Sequence, residues 1–297
     1  MAGQKPSLVI FDTVAIVGVG LIGGSLGMAA RRKGIARRVI GIGRTEQKLM
    51  RAKILGAIDG YSLDIDNGAS EADLLILCTP VPLVAPTLAR MADSLKEGAI
   101  VTDAGSTKRE IVAACDAVIP DGCFFVGGHP MAGSEQTGVD AARADIFVDA
   151  TYVLTPGAST DLSALGRITE FAGALGARVE ILTPEQHDAA VAVISHLPHA
   201  IAGALMQLAE DSQRETGRTF ALAAGSFKDL TRIADSSPEL WRDICLTNAD
   251  SLSQAVADLQ ALLDGFRDAL EARDEAGIQR FFEQSRQIRE TYLRITQ

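Results

Sequence analysis

The chain has 297 residues, 47% of them hydrophobic, which is enough for a sizeable core and more than one domain. Its net charge of −10 disfavours nucleic acid and anionic membrane surfaces as partners. We find no run of about 18 apolar residues, no signal-peptide pattern and no metal-binding spacing among the four cysteines, so we expect a cytoplasmic protein without a membrane span.

Short apolar runs alternate with helical stretches through the first half of the chain. Strands are predicted at 13–17, 39–42, 74–78, 100–103, 124–127, 152–154 and 178–181. Helices are predicted between the earlier strands, at 22–33, 46–55, 84–95 and 108–117. This alternation is typical of α/β proteins, and it predicts a Rossmann-type, doubly wound, mainly parallel sheet.

The second half of the chain reads as helical throughout. Thr183, Pro184 and Gln186 combine an N-cap, a proline at the first helical position and the closing residue of a capping box. Apolar residues at helical spacing follow to the end of the sequence. We therefore predict a dinucleotide-binding domain, 1–183, and an all-helical domain, 184–297.

From Leu252 to Leu270, apolar residues recur with 4-3-4-3-4 spacing, the pattern of a seam between packed helices. Such a stripe suits the core of a domain and an interface between subunits about equally well. Long helices with few other elements to cover them favour the interface slightly, which predicts a homodimer made by the helical domain.

The first predicted strand runs directly into a G-x-G-x-x-G sequence formed by Gly18, Gly20 and Gly23. Gly18 permits a tight turn, Gly20 lets the backbone approach a pyrophosphate, and Gly23 allows the helix to pack closely on the strand. In this strand–turn–helix context the motif predicts a dinucleotide site rather than a glycine-rich turn without a ligand. The predicted cofactor contacts also include Leu21, Ile22, Thr79 and Pro80.

The end of the second strand bears on the choice of cofactor. NAD-preferring sites place an acid here to hold the ribose 2′-hydroxyl. This chain has Gly43 instead, which leaves space, then Arg44, whose guanidinium suits a 2′-phosphate, and Thr45, which adds a hydroxyl. The sequence therefore predicts NADP as the preferred cofactor. The alternative is that Arg44 is a solvated surface charge and NAD is accepted as well.

All four histidines lie between residues 129 and 199. His129 follows a strand at its C-terminal end, the edge at which open α/β sheets bind ligands, and can act there as a general base. The alternative is a histidine that only satisfies a loop carbonyl.

His196 and His199 are three residues apart on one helix face, and Pro198 between them frees the carbonyl near Ile194, so a kinked site wall is predicted. A metal site is the alternative, but without a clear third ligand we predict no metal.

Lys228 and Arg232 are four residues apart in a predicted helix. On a shared face they could hold a carboxylate, with arginine making a bidentate contact. The alternative is a charged helix surface.

Several motifs occur in one order along the chain. They are the glycine loop at 18–25, Thr-Asp-Ala-Gly-Ser-Thr-Lys at 102–108, Gly-His-Pro at 128–130, Ser-His-Leu-Pro-His at 195–199 and Thr-Arg-Ile-Ala at 231–234. Together they resemble the prephenate/arogenate (cyclohexadienyl) dehydrogenases over nearly the whole chain. The resemblance implies a Rossmann-type domain followed by a helical dimerisation domain. It also implies oxidative decarboxylation of prephenate or arogenate, with hydride transfer to NAD(P), in tyrosine biosynthesis.

The resemblance also implies roles for individual residues. His129 would accept the proton of the substrate ring hydroxyl, and Ser106 would hydrogen-bond this histidine close to the nicotinamide. Arg232 would bind a substrate carboxylate in a shared pocket. The other implied pocket residues are His199 in the pocket, Glu135 and Lys228 at its mouth, and His196 and Gly225 as residues that shape it.

The chain departs from that family pattern in two respects. Gly43 and Arg44 stand where NAD-specific members have an acid. The sequence also ends soon after its last predicted helix, so we expect no fused chorismate mutase or ACT-type domain.

Two alternative functions share part of this sequence pattern. A 3-hydroxyacid or imine reductase of similar architecture would rely on a lysine in the helical domain, and the Gly-Gly-His-Pro sequence argues against it. A non-catalytic NADP-sensing protein would need the glycine loop but not Ser106, His129, His199 and Arg232 together. The sequence leaves open the choice between prephenate and arogenate, and whether tyrosine inhibits.

Overall fold

The computed structural model of the chain describes residues 9–133 and 136–296. The chain divides into two compact units, Met1–Asn248 and Ala249–Gln297. The first contains the sheet and the described residues of the predicted site.

Within the described residues of the first unit, eight strands form one sheet. They are β1 (Phe11–Val17), β2 (Ala36–Ile42), β3 (Gly60–Ser62), β4 (Leu74–Leu77), β5 (Ile100–Asp103), β6 (Phe124–Pro130), β7 (Thr151–Thr155) and β8 (Arg178–Ile181). Their order is β3-β2-β1-β4-β5-β6-β7-β8, and all neighbours are parallel except β6 and β7. The predicted Rossmann-type, mainly parallel sheet is confirmed. β3 was missed because it has only three residues, none of them fully buried.

Helices connect the strands and cover the sheet. They are α1 (Leu21–Arg32), α2 (Glu46–Ile54), α3 (Ile65–Ser70), α4 (Val84–Met91), α5 (Arg109–Asp116) and α6 (Leu162–Ala174). The short α3, capped by Asp64, was not predicted, because only Ile65 and Ala69 in it are apolar. The central strands of the sheet are buried on both sides: all four residues of β4 and all four of β5 are buried. The predicted helices therefore lie on the faces of the sheet, which leaves the strand ends to form the site.

The second half is helical, as predicted. Its helices are α7 (Pro184–Val191), α8 (Leu197–Thr216), α9 (Gly225–Thr231), α10 (Pro238–Thr247), α11 (Ala249–Glu271) and α12 (Glu275–Thr296). Thr183 and Gln186 form the predicted capping box at the start of α7. Between α7 and α8, Ala192–His196 form a π-helical turn, which is the local distortion predicted at Pro198.

The helical run Pro184–Thr216, 33 residues long, has the length and composition to cross a membrane. A count of uninterrupted apolar residues does not find this run, because it includes Pro, His, Ser and Gly; the expectation of no membrane span stays a prediction. One such helix is weak evidence for a span. In this structure the run carries buried His187 and His196, which make hydrogen bonds within the first unit.

The second unit consists of α11 and α12, joined by a three-residue turn. Phe266 of α11 packs on Phe281 and Phe282 of α12, with ring centroids 4.8 and 5.8 Å apart. Leu263 and Leu270 of the predicted seam are half exposed. Phe266 of the seam therefore packs inside this unit, while Leu263 and Leu270 remain open to solvent.

Candidate active site

The glycine loop connects β1 to α1 at the carboxyl edge of the sheet. Gly18 has φ +89°, and a Cβ there would lie 2.5 Å from the carbonyl oxygen of Cys78, so the turn requires glycine. A Cβ on Gly23 would lie 2.3 Å from the carbonyl oxygen of Gly18, which confirms the close packing expected of helix and strand. Nothing lies within 4 Å of a Cβ on Gly20, where the backbone is open to a ligand.

The first turn of α1 fits a dinucleotide pyrophosphate. Gly20 is its N-cap and supplies no side-chain hydrogen bond, and no acidic residue occurs in the first turn. The backbone N–H groups from Leu21 and Ile22 onward therefore provide donors and the positive end of the helix dipole. Thr79 and Pro80 lie two and three residues beyond the end of β4, and the Thr79 backbone nitrogen would lie 3.5 Å from a Cβ on Gly18. The predicted cofactor residues of both segments thus adjoin each other.

Arg44 and Thr45 lie between β2 and α2. Arg44 is exposed, and no carboxylate of the described residues lies within salt-bridge distance of it. Thr45 is the N-cap of α2, but its hydroxyl makes no capping hydrogen bond. Both polar groups are available to a ligand at the end of β2.

His129, half buried on β6, heads a chain of hydrogen bonds that continues into α7. Its Nδ1 lies 2.8 Å from Nε2 of His187, whose own Nδ1 lies 2.7 Å from a carboxylate oxygen of Asp188. The Asp188 carboxylate also accepts the backbone N–H groups of Lys108 and Arg109, at 2.7 and 2.9 Å. One aspartate thereby anchors both the histidine pair and the first turn of α5.

These partners assign the protons on both rings. Because the Asp188 carboxylate is an acceptor, Nδ1 of His187 carries a proton, and in the uncharged tautomer with that proton Nε2 of His187 holds a lone pair. Nδ1 of His129 then donates to it, which leaves the lone pair of His129 on Nε2. Burial, followed by the nearby His187, Lys108 and His196, holds the pKa of His129 well below its usual value. His129 is therefore an unprotonated base at neutral pH.

A buried ion pair joins the ends of β5 and β6. Lys108 and Asp103 are fully buried and in contact, and Lys108 Nζ also donates to the carbonyl oxygen of Gly128 at 2.8 Å. The Asp103 carboxylate accepts the backbone N–H groups of Gly105 and Gly128 at 2.8 and 3.0 Å. This pair fixes the β5–α5 loop against the residue that precedes His129.

Ser106 lies half buried on that loop. Its neighbour Thr107 is buried and its hydroxyl lies 3.0 Å from that of Thr247 on α10. The described residues contain no hydrogen bond between Ser106 and His129, so the implied contact stays a prediction. The loop that carries Ser106 is nevertheless held from two sides, by Asp188 and by α10.

His196 and His199 meet around one indole ring. The His199 ring stacks on Trp241 with centroids 3.7 Å apart, and His196 meets the same ring edge-on at 5.9 Å. His199 Nδ1 lies 2.9 Å from the carbonyl oxygen of Ser195, a backbone group of the π-helical turn. Nδ1 of His196 accepts from the amide of Asn248 at 3.2 Å. Burial lowers the pKa of His196 to about 4 and also lowers the pKa of His199, so both rings are neutral at pH 7.

Gly225, Lys228 and Arg232 are all exposed. α9 ends at Thr231, and Arg232 opens a 3₁₀ turn, so Lys228 and Arg232 do not belong to one continuous α-helix as predicted. Within the described part of the chain, neither cation has a carboxylate partner. Glu135, the predicted acid of the pocket mouth, lies outside the described residues.

Sequence reasoning missed several members of the site. These are His187, Asp188, Lys108, Asp103, Trp241 and Asn248. The adjacent His187-Asp188 pair was the available signal, because a histidine beside a carboxylate needs hydrogen-bond partners when both are buried. Lys108 gave no such signal, since a lysine at a helix start is normally solvated.

A Rossmann-type sheet with a glycine loop at one strand end and an unprotonated histidine at another has the architecture of a nicotinamide-dependent dehydrogenase. The family model described as "Prephenate dehydrogenase, nucleotide-binding domain" matches residues 26–181. The one described as "Prephenate dehydrogenase, dimerization domain" matches residues 183–284. The chain belongs to the prephenate dehydrogenase family.

Named relatives agree with this assignment. The chain is 37% identical over 280 residues to prephenate dehydrogenase of Bacillus subtilis, covering 94% of this chain and 76% of that protein. Synechocystis arogenate dehydrogenase superposes with a TM-score of 0.83 at 32% identity, over 94% of this chain and 99% of that one. Prephenate dehydrogenase from Aquifex aeolicus, solved with hydroxyphenyl propionate and NAD+, gives a TM-score of 0.85 at 31% identity, over 96% and 98%.

Proposed function

We propose that this protein oxidatively decarboxylates prephenate, arogenate or both, with hydride transfer to NAD(P). The observation that carries the proposal is the hydrogen-bond chain from His129 through His187 to Asp188. It supplies an unprotonated ring nitrogen at the same edge of the sheet as the glycine loop. Both substrates are supported by the relatives, one of which is named for prephenate and another for arogenate.

The acid–base chemistry of the reaction comes from His129. Its Nε2 accepts the proton of the ring 4-hydroxyl as C4 loses hydride. A nicotinamide bound at the glycine loop supplies the hydride acceptor. Loss of CO2 leaves the bonding electron pair in the ring, which becomes aromatic, and the ring oxygen takes its proton back from His129. A positioned base of this kind contributes about 10²–10⁴ in rate.

Substrate binding is assigned to the second half of the first unit. Arg232, with Lys228 nearby in sequence, offers cationic groups to a substrate carboxylate, although the protein as a whole carries a net charge of −10. His199, held against Trp241, and His196 form an aromatic wall suited to a cyclohexadiene ring. Gly225, at the start of α9, leaves that approach free of a side chain.

We infer that NADP is preferred over NAD. Gly43 presents no acid at the end of β2, and the exposed Arg44 guanidinium and the uncommitted Thr45 hydroxyl suit a 2′-phosphate. The Aquifex aeolicus relative was solved with NAD+. NAD is therefore the alternative cofactor of this chain.

We infer a homodimer formed through the helical half, because the matched domain is described by its role in dimerization. Exposed apolar side chains on both helices of the second unit suit such an interface, among them Leu262, Leu263, Leu270, Phe282 and Ile288. Light scattering at micromolar concentration should give twice the mass of one chain. A mass of one chain at that concentration would refute the dimer.

The proposed activity is tested by mixing the protein with prephenate or arogenate, each with NAD or NADP, and recording absorbance in the reduced-nicotinamide band. Steady growth of absorbance with at least one pair, together with an equal amount of CO2 and of the aromatic product, is expected. A protein that binds the dinucleotide but turns over neither substrate would instead fit the NADP-sensing alternative. The four combinations also rank the substrates and cofactors by kcat/KM.

A further inference from the structure

His187 contacts His129 from a different part of the chain. His129 lies on β6 and His187 on α7, 58 residues further on, yet their ring nitrogens are 2.8 Å apart. His187 and Asp188 are 1% and 2% exposed, and both ring nitrogens of His187 have partners. Burial of so many polar groups is costly unless each is hydrogen-bonded, as these are.

We propose that His187 is a positioning residue for the base: it fixes the tautomer of His129 and, with Asp188, shares the positive charge that forms when His129 takes a proton. The inference rests on the proposed function for its kinetic consequences. The donor and acceptor assignment in the hydrogen bonds of His129, His187 and Asp188 is a property of the free protein, so it can be observed without a substrate.

The proton movement is balanced at every atom. The substrate hydroxyl proton goes to Nε2 of His129, and the Nδ1–H of that ring then donates more strongly to Nε2 of His187. If this second proton crosses, His129 is neutral again with its proton on Nε2, and His187 is an imidazolium beside the Asp188 carboxylate. The same steps in reverse return the proton to the ring oxygen when CO2 has left.

The charges around the pair favour this sharing. The groups that face it are Lys108 and Asp103 from the β5–α5 loop, Asp188 from α7 and His196 from the π-helical turn. Lys108 and Asp103 form an ion pair, so their charges offset, and His196 is neutral at pH 7. The single carboxylate of Asp188 is then the uncompensated charge, and it is neutralised when the histidine pair gains one proton.

Asp188 also has a purely structural use, since it receives the N–H groups of Lys108 and Arg109 and its carbonyl accepts from Asn248 at 2.8 Å. That use explains why Asp188 is present, but it does not involve His187. Replacement of His187 alone therefore separates positioning of the base from support of α5.

Two replacements of His187 make the test. His187→Leu removes the acceptor for His129 Nδ1. His187→Gln can restore it, because a glutamine carbonyl accepts from His129 while its amide donates to Asp188, although glutamine cannot take up a proton. Glu185→Gln is the matched control, because Glu185 is an exposed residue of the same helix.

The first measurement is ¹⁵N NMR of protein labelled only at its histidines. The chain has four of them. In the wild type and in Glu185→Gln, we expect His129 to show a protonated Nδ1 and an unprotonated Nε2, with the His129 signals assigned by their loss in His129→Asn. His187→Leu should mix the two tautomers, and His187→Gln should restore the wild-type pattern. Wild-type protein with Nε2 of His129 protonated would overturn the proposal, and so would an unchanged pattern in His187→Leu.

The second measurement is steady-state turnover. His187→Leu should lower kcat by about 10- to 100-fold with little change in KM, and His187→Gln should recover part of that loss. Equal kcat for wild type and both variants would overturn the charge-sharing role. If the wild type turns over neither substrate while NMR shows the expected tautomers, the proposed function fails and the positioning of His129 stands.

Discussion

The two regions that the proposed reaction needs are built in opposite ways. Around His129, the polar partners are buried and hydrogen-bonded to one another: Lys108 with Asp103, and His187 with Asp188. Around α9, Lys228 and Arg232 are exposed and lack carboxylate partners among the described residues. Both regions lie in the same compact unit, so this difference in burial and pairing occurs within a single fold.

This difference corresponds to two tasks. A histidine base needs its tautomer and its ring orientation fixed before the substrate binds. Buried hydrogen-bond partners fix both, although their burial carries a desolvation cost. A cation that binds a carboxylate must be free to meet it, and a carboxylate of the protein would compete. The variants below test whether the paired region controls turnover and stability while the unpaired region controls substrate affinity.

The largest effect is expected at the base itself. His129→Asn removes the proton acceptor, so kcat should fall by about 10²–10⁴ while affinity for the cofactor stays at the wild-type value. Turnover rates and a dinucleotide titration measure the two quantities. An unchanged kcat would eliminate His129 as the base and, with it, the contrast between the regions.

The next effect concerns stability. Lys108→Met leaves the buried Asp103 carboxylate without its cation, and removal of one partner of a buried pair costs about 3–5 kcal/mol. Denaturant unfolding should show this loss. Lys228→Met is the matched control, and replacement at that exposed site should change stability by no more than about 0.5 kcal/mol. Equal losses for the two variants would contradict the contrast in pairing.

A smaller effect is expected at the exposed cation. Arg232→Ala removes a charge-assisted contact worth about 1.5–3 kcal/mol, so KM for prephenate or arogenate should rise by about 10- to 150-fold. Unfolding and cofactor affinity should be unchanged. Arg218→Ala removes an equally exposed positive charge from the same unit and should leave KM as it is. An unaltered KM in Arg232→Ala would make this arginine an ordinary surface charge.

The smallest effect concerns the choice between two cofactors. Arg44→Ala should lower kcat/KM for NADP by about 10- to 100-fold and leave the value for NAD nearly unchanged, since the pyrophosphate common to both is held by the glycine loop. The NAD measurement serves as the internal control. A wild-type preference for NAD that the substitution does not alter would mean that Arg44 points to solvent.

Much of the fold could be predicted because it depends on patterns among residues close together in the sequence. In the glycine loop, the turn has φ +89° at Gly18, and α1 packs closely on the preceding loop at Gly23. Both positions therefore require glycine, and the spacing between them is fixed. The capping box at Thr183 is equally local. β3 escaped prediction because three half-buried residues carry no period.

The site could be predicted only in part, because its decisive contacts join distant residues. His129 and His199 were found through their motifs, but their partners His187 and Trp241 lie 58 and 42 positions away, and no local pattern records those distances. Lys108 shows the limit most clearly. Lysine is among the residues least often buried, so its full burial against Asp103 contradicts the expectation from its type.

The π-helical turn at Ala192–His196 has a consequence for how α8 can vary. A π turn holds one residue more than the corresponding α turn, and each residue of an α-helix advances the direction of its side chains by about 100°. Because the π turn is wider, its five residues cover about the same rotation as four residues of an α-helix. Deletion of one residue from this turn would therefore restore a regular helix with little rotation of α8, and the helix after the turn would keep nearly its present direction relative to α7. Deletion of one residue from the regular part of α7 would instead rotate α8 by about 100° relative to the segment before the deletion. The turn can thus absorb the loss of a residue between the helix segment that holds the base and the segment that forms the aromatic wall.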